Sequence, residues 1–175
     1  MPFSTDATWP KDLLTIFDIY RHHDDSDELP ENRYYGPYNK LLNYCFSDFI
    51  APHQHFGDLT LSDTVDVIVF LIVFDANCRP VLFAEVKDDA WNTRPDFRLS
   101  ADEQMRQRYD TMLSKCLIPR LWGLSLLGTS LRVYCGGVAT NSIEPGFEDS
   151  QSPDHNQPRF DKMKEIVGDI LAHST

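Results

Sequence analysis

Two ionisable residues, Glu85 and Lys87, interrupt a strongly apolar part of the chain and are the first candidates for chemistry. Residues 67–74 contain no polar side chain, and the turn-like sequence DANCRP separates them from a second apolar run that ends in this pair. Short β-branched and aromatic runs on either side of a turn predict a buried β-hairpin. An ionised group at the edge of such a sheet carries a large desolvation cost unless it is paired or binds a cation. Asp66, which opens the first run, is a third candidate.

The alternation of side chains along a strand favours a common site for these three residues. Glu85 and Lys87 are two positions apart and therefore share one face of their strand. If Phe74 pairs with Val81, Asp66 lies on the same face as Lys87 and at the same open end of the hairpin. A slip of one residue would move Asp66 to the opposite face, so the grouping depends on this register.

Carboxylates on adjacent strands suit a divalent cation. Mg²⁺ is typically bound through one or two protein carboxylates and keeps positions for water and phosphate. Lys87 could then orient or deprotonate the attacking water, or stabilise charge on the phosphate. Gln104, Arg106 and Arg108 flank the apolar side of a predicted helix and could reach a phosphodiester. The structural alternatives are an ion pair at a strand end for Glu85 and Lys87, and a solvated helix face for the other three.

An Asp at the start of one strand, followed by Glu-x-Lys on the next, resembles the PD-(D/E)XK nuclease superfamily, in a short form found in basidiomycete fungi. Asp66 stands at the first acidic position, and residues 85–87 (EVK) stand at the second motif. The helix SADEQMRQRYDTML and the segment LWGLSLLGTSLRVY extend the resemblance over roughly residues 38–138. Two features depart from the pattern. Val65 precedes the acidic residue where the family has Pro, and the literal Pro-Asp at residues 95–96 follows the lysine.

The resemblance implies an α/β (α+β) fold with a mixed central β-sheet flanked by helices, arranged as a restriction-endonuclease-like core. The implied cofactor is Mg²⁺ or Mn²⁺. Taken with the chemistry above, the expected catalytic residues are Asp66, Glu85, Lys87 and Gln104. The expected metal ligands are Asp66, Glu85 and Val86. The expected substrate contacts are Arg98, Arg106, Arg108, Tyr38 and Trp91.

Length and composition indicate one globular domain. With 175 residues, 42% of them hydrophobic, the chain can bury a core. We expect a single domain over residues 1–175, with a helical extension at 1–35 and an acidic loop plus a helix at 139–175. The first residues lack the basic and apolar regions of a secretory signal, and no apolar run is long enough to span a bilayer. Four dispersed cysteines without a CxxC motif predict free thiols and a cytoplasmic or nuclear location.

The charge is uneven along the chain. The net charge of −11 argues against indiscriminate nucleic-acid binding, which normally shows a basic footprint. Between Lys87 and Arg132, however, eight basic residues face six acidic ones, whereas the rest of the chain has eight basic and 21 acidic residues. Basic charge therefore concentrates around the candidate site. Acidic loops that simply keep the protein soluble are the alternative explanation.

The remaining patterns predict the order α-α-β-β-β-α-β-β-α, which suits a mixed sheet with helices on both sides. Helices are predicted at residues 11–22, from Pro37, from a Ser100–Glu103 capping box, and near the end of the chain. The other predicted segments are a strand at 56–62, a hairpin of 121–127 with 131–138, and a loop at 139–158.

Three classes of function remain open. The first is a metal-dependent nuclease that hydrolyses DNA or RNA. The second is a metal-independent RNA or DNA N-glycosylase, such as a ribosome-inactivating toxin that acts on ribosomal RNA, in which Glu85 stabilises a ribosyl cation. The third is a non-catalytic member of the fold that binds nucleic acid or protein. No membrane partner is expected, and the oligomeric state stays open, a homodimer included.

Overall fold

The computed structural model describes residues 2–22, 32–47, 53–54, 70–148 and 156–174. Helices and strands alternate irregularly along these ranges. The helices are α1 (Pro2–Thr5), α2 (Lys11–His22), α3 (Asn32–Cys45), α4 (Ala90–Thr93), α5 (Pro95–Met112) and α6 (Asn156–His173), and a 3₁₀ turn follows α5 at Leu113–Lys115. The strands are β1 (His53–Gln54), β2 (Phe70–Phe74), β3 (Pro80–Lys87), β4 (Arg120–Leu127), β5 (Ser130–Gly137) and β6 (Ser142–Glu148).

The strands form one mixed sheet in the order β1-β2-β3-β4-β5-β6, with helices on its faces. All neighbouring strands are antiparallel except β3 and β4, which are parallel. A parallel pair needs a crossover connection, and here α4 and α5 supply it. The mixed sheet flanked by helices that the sequence predicts is therefore confirmed.

The β2–β3 hairpin has the predicted register over most of its length. Its described pairs run from Phe70 opposite Glu85 to Val73 opposite Leu82, as the predicted pairing requires. At the turn the register shifts, and Phe74 pairs with Pro80 instead of Val81. The shift accommodates a tight turn, in which the amide of Asp75 donates a hydrogen bond to the carbonyl of Arg79 (2.9 Å).

Helix α5 covers the sheet face that carries Glu85 and Lys87. Its buried residues Ala101, Met105 and Tyr109 follow the predicted helical stripe. The Tyr109 ring packs against Phe83 with 4.9 Å between ring centroids. A Cβ atom at Gly123 would lie 2.7 Å from the Tyr109 hydroxyl, and one at Gly136 would lie 2.5 Å from its ring. Two neighbouring strands therefore leave a niche for this ring by having glycine at these positions.

Helices α2, α3 and α6 cover the opposite face. The indole Nε1 of Trp122 in β4 donates a hydrogen bond to Asp169 of α6 (2.9 Å). The Tyr38 hydroxyl of α3 donates one to the carbonyl of Gly128, at the turn between β4 and β5 (2.7 Å). The buried residues of these helices join those of the sheet in one core.

Several predicted boundaries are wrong. Helix α5 begins at Pro95, because proline suits a first helical position, so the Ser100 box lies inside the helix. Helix α3 begins at Asn32 and contains Pro37 within its length. Residues 142–148 form strand β6 where a loop was predicted, and Pro145 is tolerated because this is an edge strand. The strand predicted at 56–62 lies outside the described residues.

Candidate functional site

Glu85 and Lys87 form a buried ion pair on the α5-covered face of β3. The Lys87 Nζ lies 3.7 Å from the Glu85 Oε1 atom, and the two side chains are 2% and 0% exposed. The sequence placed them at the edge of the sheet, but β2 and β4 flank Glu85 on either side. The pair therefore sits at the end of a central strand and under a helix, where charge is costly to bury.

One aromatic residue, Trp91, and one cationic residue, Arg108, interact with this pair. The Lys87 Nζ lies 4.5 Å from the centroid of the Trp91 ring, which is a cation–π distance. Burial lowers the pKa of the Arg108 guanidinium, and the negative charge of Glu85 opposes part of that effect. Arg108 on α5 is therefore close enough to Glu85 to respond to its charge. Of the predicted substrate contacts, Trp91 therefore contacts Lys87, and Arg108 lies within electrostatic range of Glu85.

A polar row crosses three strands beside the pair. Glu85 of β3 lies directly opposite Ser125 of β4, and Ser125 lies directly opposite Arg132 of β5. Directly paired residues share a face of the sheet, so the three side chains stand side by side on the face under α5. Ser125 is buried, and Arg132 is partly exposed. We call Glu85, Ser125 and Arg132 the polar row.

Helix α5 anchors the β5 end of the polar row through Asp102. This carboxylate accepts hydrogen bonds from the Tyr134 hydroxyl (2.7 Å) and from the Arg106 Nε (2.8 Å), and lies 3.8 Å from Arg132 Nη1. Burial alone would raise the pKa of Asp102, but the Arg106 and Tyr134 hydrogen bonds outweigh it and hold the pKa below its ordinary value. Burial raises the pKa of Tyr134 to about 12, with Asp102 adding to the rise against the opposing effect of Arg132. Arg106 thus holds Asp102 in place.

The other predicted residues are placed as follows. Gln104 lies one helical turn before Arg108 on α5, and its buried Oε1 atom accepts no hydrogen bond from the described residues. Arg98 lies near the start of α5, beside Ser125 and Arg132. Tyr38 is buried on the opposite face of the sheet, against Phe17, and so is not brought to the pair.

The predicted metal ligands are only partly described. Asp66 lies outside the described residues. The Val86 side chain is buried and points to the other face of β3, so only its backbone carbonyl could bind a cation. Glu85 supplies a carboxylate of the type that Mg²⁺ prefers. Within the described ranges, no group of three or more His, Cys, Asp or Glu residues is placed to bind a metal ion.

Asp89, a turn acid next to the site, has a structural role. Its carboxylate accepts hydrogen bonds from the Tyr34 hydroxyl and from the Thr129 amide, and Arg33 lies 4.0 Å away. Burial, followed by the bond to Asp89, raises the pKa of Tyr34 well above its ordinary value. This carboxylate joins α3 to the β4–β5 turn at Gly128, and the hairpin end that carries the site is fixed through it.

A cavity of about 510 Å³ lies on the side of the sheet opposite Glu85 and Lys87. Its walls come from α2, α3, α6 and the opposite faces of β4 and β5, and they are mainly apolar. Neither Glu85 nor Lys87 lines it. The charged pair and this cavity are therefore separate features of the molecule.

The fold and site together define a mixed α/β protein with a buried Glu-x-Lys pair and a polar row that crosses its central strands. Comparisons with protein-family models, curated proteins and solved structures find no match for this chain. Among the helices of the described ranges, none is long and apolar enough to cross a membrane.

Proposed function

We propose that this chain is a metal-dependent nuclease of the PD-(D/E)XK type, built on a restriction-endonuclease-like core. The observation that carries the proposal is the buried Glu85–Lys87 pair, 3.7 Å apart and continuous with the polar row. A carboxylate and an amine on one strand face, two residues apart, match the second motif of that superfamily. Asp66 is proposed as the second carboxylate on sequence grounds alone.

The proposed roles follow from residue chemistry. A bound Mg²⁺ or Mn²⁺ would acidify a water molecule and stabilise charge on the attacked phosphate. Glu85 and Asp66 would hold the cation, with the Val86 carbonyl as a further oxygen. Lys87 would orient the water and stabilise charge on the attacked phosphate, since its ammonium is held between Glu85 and the Trp91 ring.

The substrate would lie along the α5 side of the sheet. Arg108 lies within electrostatic range of Glu85, and its charge would stabilise the developing phosphate anion. The Trp91 ring lies 4.5 Å from the Lys87 Nζ and would limit the access of bulk water to it. Gln104, whose buried carbonyl oxygen has no donor among the described residues, is oriented by the same helix as Arg108. We propose that it positions water or substrate by accepting a hydrogen bond.

Metal dependence tests the proposal directly. End-labelled DNA and RNA oligonucleotides should be cleaved with Mg²⁺ or Mn²⁺, left intact in excess EDTA, and cleaved weakly with Ca²⁺, whose looser coordination suits the chemistry poorly. Glu85→Gln should lower the cleavage rate at least about a hundred-fold. Glu103→Gln, a change of the same kind at an exposed position of α5, is the matched control and should leave the rate unchanged. Full activity of Glu85→Gln, or cleavage that persists in EDTA, would contradict the proposal.

A metal-independent N-glycosylase is the second candidate, and the closeness of Arg108 to Glu85 favours it. In that reaction Glu85 would stabilise a ribosyl cation while the arginine assists departure of the base. Free adenine released from RNA in EDTA, and lost in Glu85→Gln, would establish this activity in place of the nuclease. Oligonucleotide binding with neither product would indicate a non-catalytic member of the fold.

A further inference from the structure

A small cleft lies at the β5 end of the polar row, between the sheet and the start of α5. Its polar walls are Asn92, Arg98, Ser125, Ser130 and Arg132. The cleft has a volume of about 20 Å³, which is enough for one group the size of a water molecule. It therefore admits a single oxygen atom of a larger ligand, whose remaining atoms would lie at the mouth.

Ser130 indicates that the cleft receives a ligand. Its side chain is 6% exposed, yet its Oγ atom has no hydrogen-bond partner among the described residues. A buried hydroxyl group without a partner is costly, and native proteins rarely retain one. Ser130 lies opposite Leu127 in the hairpin, on the same face as Ser125 and Arg132. The hydroxyl thus stands on the face into which the cleft opens.

The charge of the cleft selects an anion. Arg98 and Arg132 both line it, and Asn92 adds an amide that can donate. Arg132 lies 3.8 Å from Asp102. That carboxylate also accepts a hydrogen bond from Arg106, so the negative charge of Asp102 is shared between the two arginines. Arg98 is exposed and forms no salt bridge with a described residue. Guanidinium groups with hydroxyl donors suit the oxygens of a phosphate group.

We propose that this cleft is a phosphate subsite that binds a non-bridging oxygen of a phosphodiester next to the one at Glu85 and Lys87. This inference rests on the proposed function for its assignment of nucleic acid as the source of the phosphate. Two strand spacings separate Glu85 from Arg132, roughly 10 Å along the polar row. The subsite would hold the strand in register while Lys87 faces the reacting phosphate.

Phosphate binding can be measured without catalysis. ¹⁵N-labelled full-length protein is titrated with inorganic phosphate and, separately, with a single-stranded DNA or RNA dodecamer in EDTA, following the amide signals of Ser125, Ser130 and Arg132. Both ligands should shift these signals in a saturable manner. Ser130→Ala and Arg98→Gln should each weaken phosphate binding at least about ten-fold. Arg94→Gln is the matched control, because Arg94 is a nearby exposed arginine already paired with Asp96 (2.7 Å), and it should bind as the wild type does.

A structural role for Ser130 would give a different result. Removing a buried hydroxyl that has no partner among the described residues should leave the melting temperature unchanged or raise it, so weaker phosphate binding together with retained stability indicates a ligand contact. If phosphate does not shift these signals, or Ser130→Ala and Arg98→Gln bind it normally, the subsite is refuted even where cleavage occurs. Phosphate binding without cleavage in Mg²⁺ would instead refute the nuclease and leave the subsite in place. Shifts by phosphate but not by the dodecamer would refute nucleic acid as its source.

Discussion

At the scale of single residues, Glu85 and Lys87 are the least expected occupants of their position. Their face of β3 also carries Phe83, which packs on Tyr109, so the charged pair borders the hydrophobic core. An apolar pair of similar volume would usually be at least as stable there, since each ion loses hydration. A buried pair of this kind is therefore consistent with retention for chemistry.

A double-mutant cycle measures how strongly the pair is bound together. Lys87→Met should lower the free energy of unfolding by about 3–5 kcal/mol, because it leaves the buried Glu85 carboxylate without its lysine. Glu85→Gln with Lys87→Met should recover much of that loss, since neither replacement carries a charge. Urea unfolding of the single and double variants gives the coupling free energy. Strictly additive losses would show that the two side chains do not interact.

Only part of the site could be predicted from sequence at this scale. Glu85 and Lys87 were found because a charge inside an apolar run stands out. Ser125, Ser130 and Arg132 were missed as site residues, although Ser125 is two positions after Gly123 in β4 and Arg132 is two positions after Ser130 in β5. This spacing of two residues within each strand was the available signal that they share a face. Its meaning depends on Ser125 lying opposite Glu85, forty residues earlier, and no local pattern specifies that pairing.

At the scale of elements, the turn between β4 and β5 is the most constrained feature. Gly128 has φ +60°, and a Cβ atom there would lie 1.8 Å from Oδ1 and 2.8 Å from Cα of Asp89. Its amide also donates a hydrogen bond to the Lys87 carbonyl (2.8 Å). The turn therefore links the end of β3, which carries the site, to the β4–β5 hairpin.

Alanine at two glycines should have opposite effects. Gly128→Ala should destabilise the fold by about 2–4 kcal/mol, through the left-handed backbone and the clash with Asp89. Gly168→Ala should stabilise it by about 0.5–1 kcal/mol, because Gly168 is an exposed helical residue and no described neighbour lies within 4 Å of the new Cβ. Chemical unfolding of both variants measures the two changes in the free energy of unfolding. A tolerated Gly128→Ala would mean that the turn can relax away from Asp89.

Local elements were predicted better than their boundaries. The β2–β3 register followed from two apolar runs and a turn, and the α5 stripe followed from helical spacing. The start of α5 was misplaced, because Trp91 and Phe97 pack at 5.0 Å and extend ordered structure ahead of Ser100. Strand β6 was missed because pairing with β5, not its own composition, makes it a strand.

At the scale of the whole molecule, a buried and a partly buried carboxylate connect stability to pH. Asp75 is 1% exposed and accepts hydrogen bonds from the Arg79 Nε (2.7 Å) and from the amides of Asn77 and Arg79. Burial raises the pKa of Asp75, but these donors outweigh it, so its pKa in the folded protein lies below the ordinary value. The pKa of Asp102 also lies below its ordinary value, because its hydrogen bonds outweigh the effect of burial. Stability from both groups is present above the unfolded pKa near 3.9 and is lost as pH falls through the folded value.

The Asp75→Asn variant should reveal how the Asp75 carboxylate makes stability depend on pH. At pH 7 the variant should be less stable than the wild type by about 2–3 kcal/mol, because the charged hydrogen bonds to Arg79 are lost. The difference should narrow from about pH 4 downward, since the wild-type carboxylate then becomes protonated. Urea unfolding at pH 7, 5 and 3 measures it, with the exposed Asp110→Asn as control. A difference that stays constant down to pH 3 would exclude Asp75 as a source of acid sensitivity.

The parallel seam between β3 and β4 also has a consequence for the order of folding. The β2–β3 and β4–β5 hairpins join residues close in sequence, whereas the seam joins Glu85 to Ser125 across the whole α4–α5 crossover. Contacts between distant residues form later, because closing the intervening chain costs entropy before any contact repays it. We therefore expect the hairpins to assemble first and the polar row to be completed only when the crossover docks. A newly made chain would then lack its proposed charged site until folding is nearly finished.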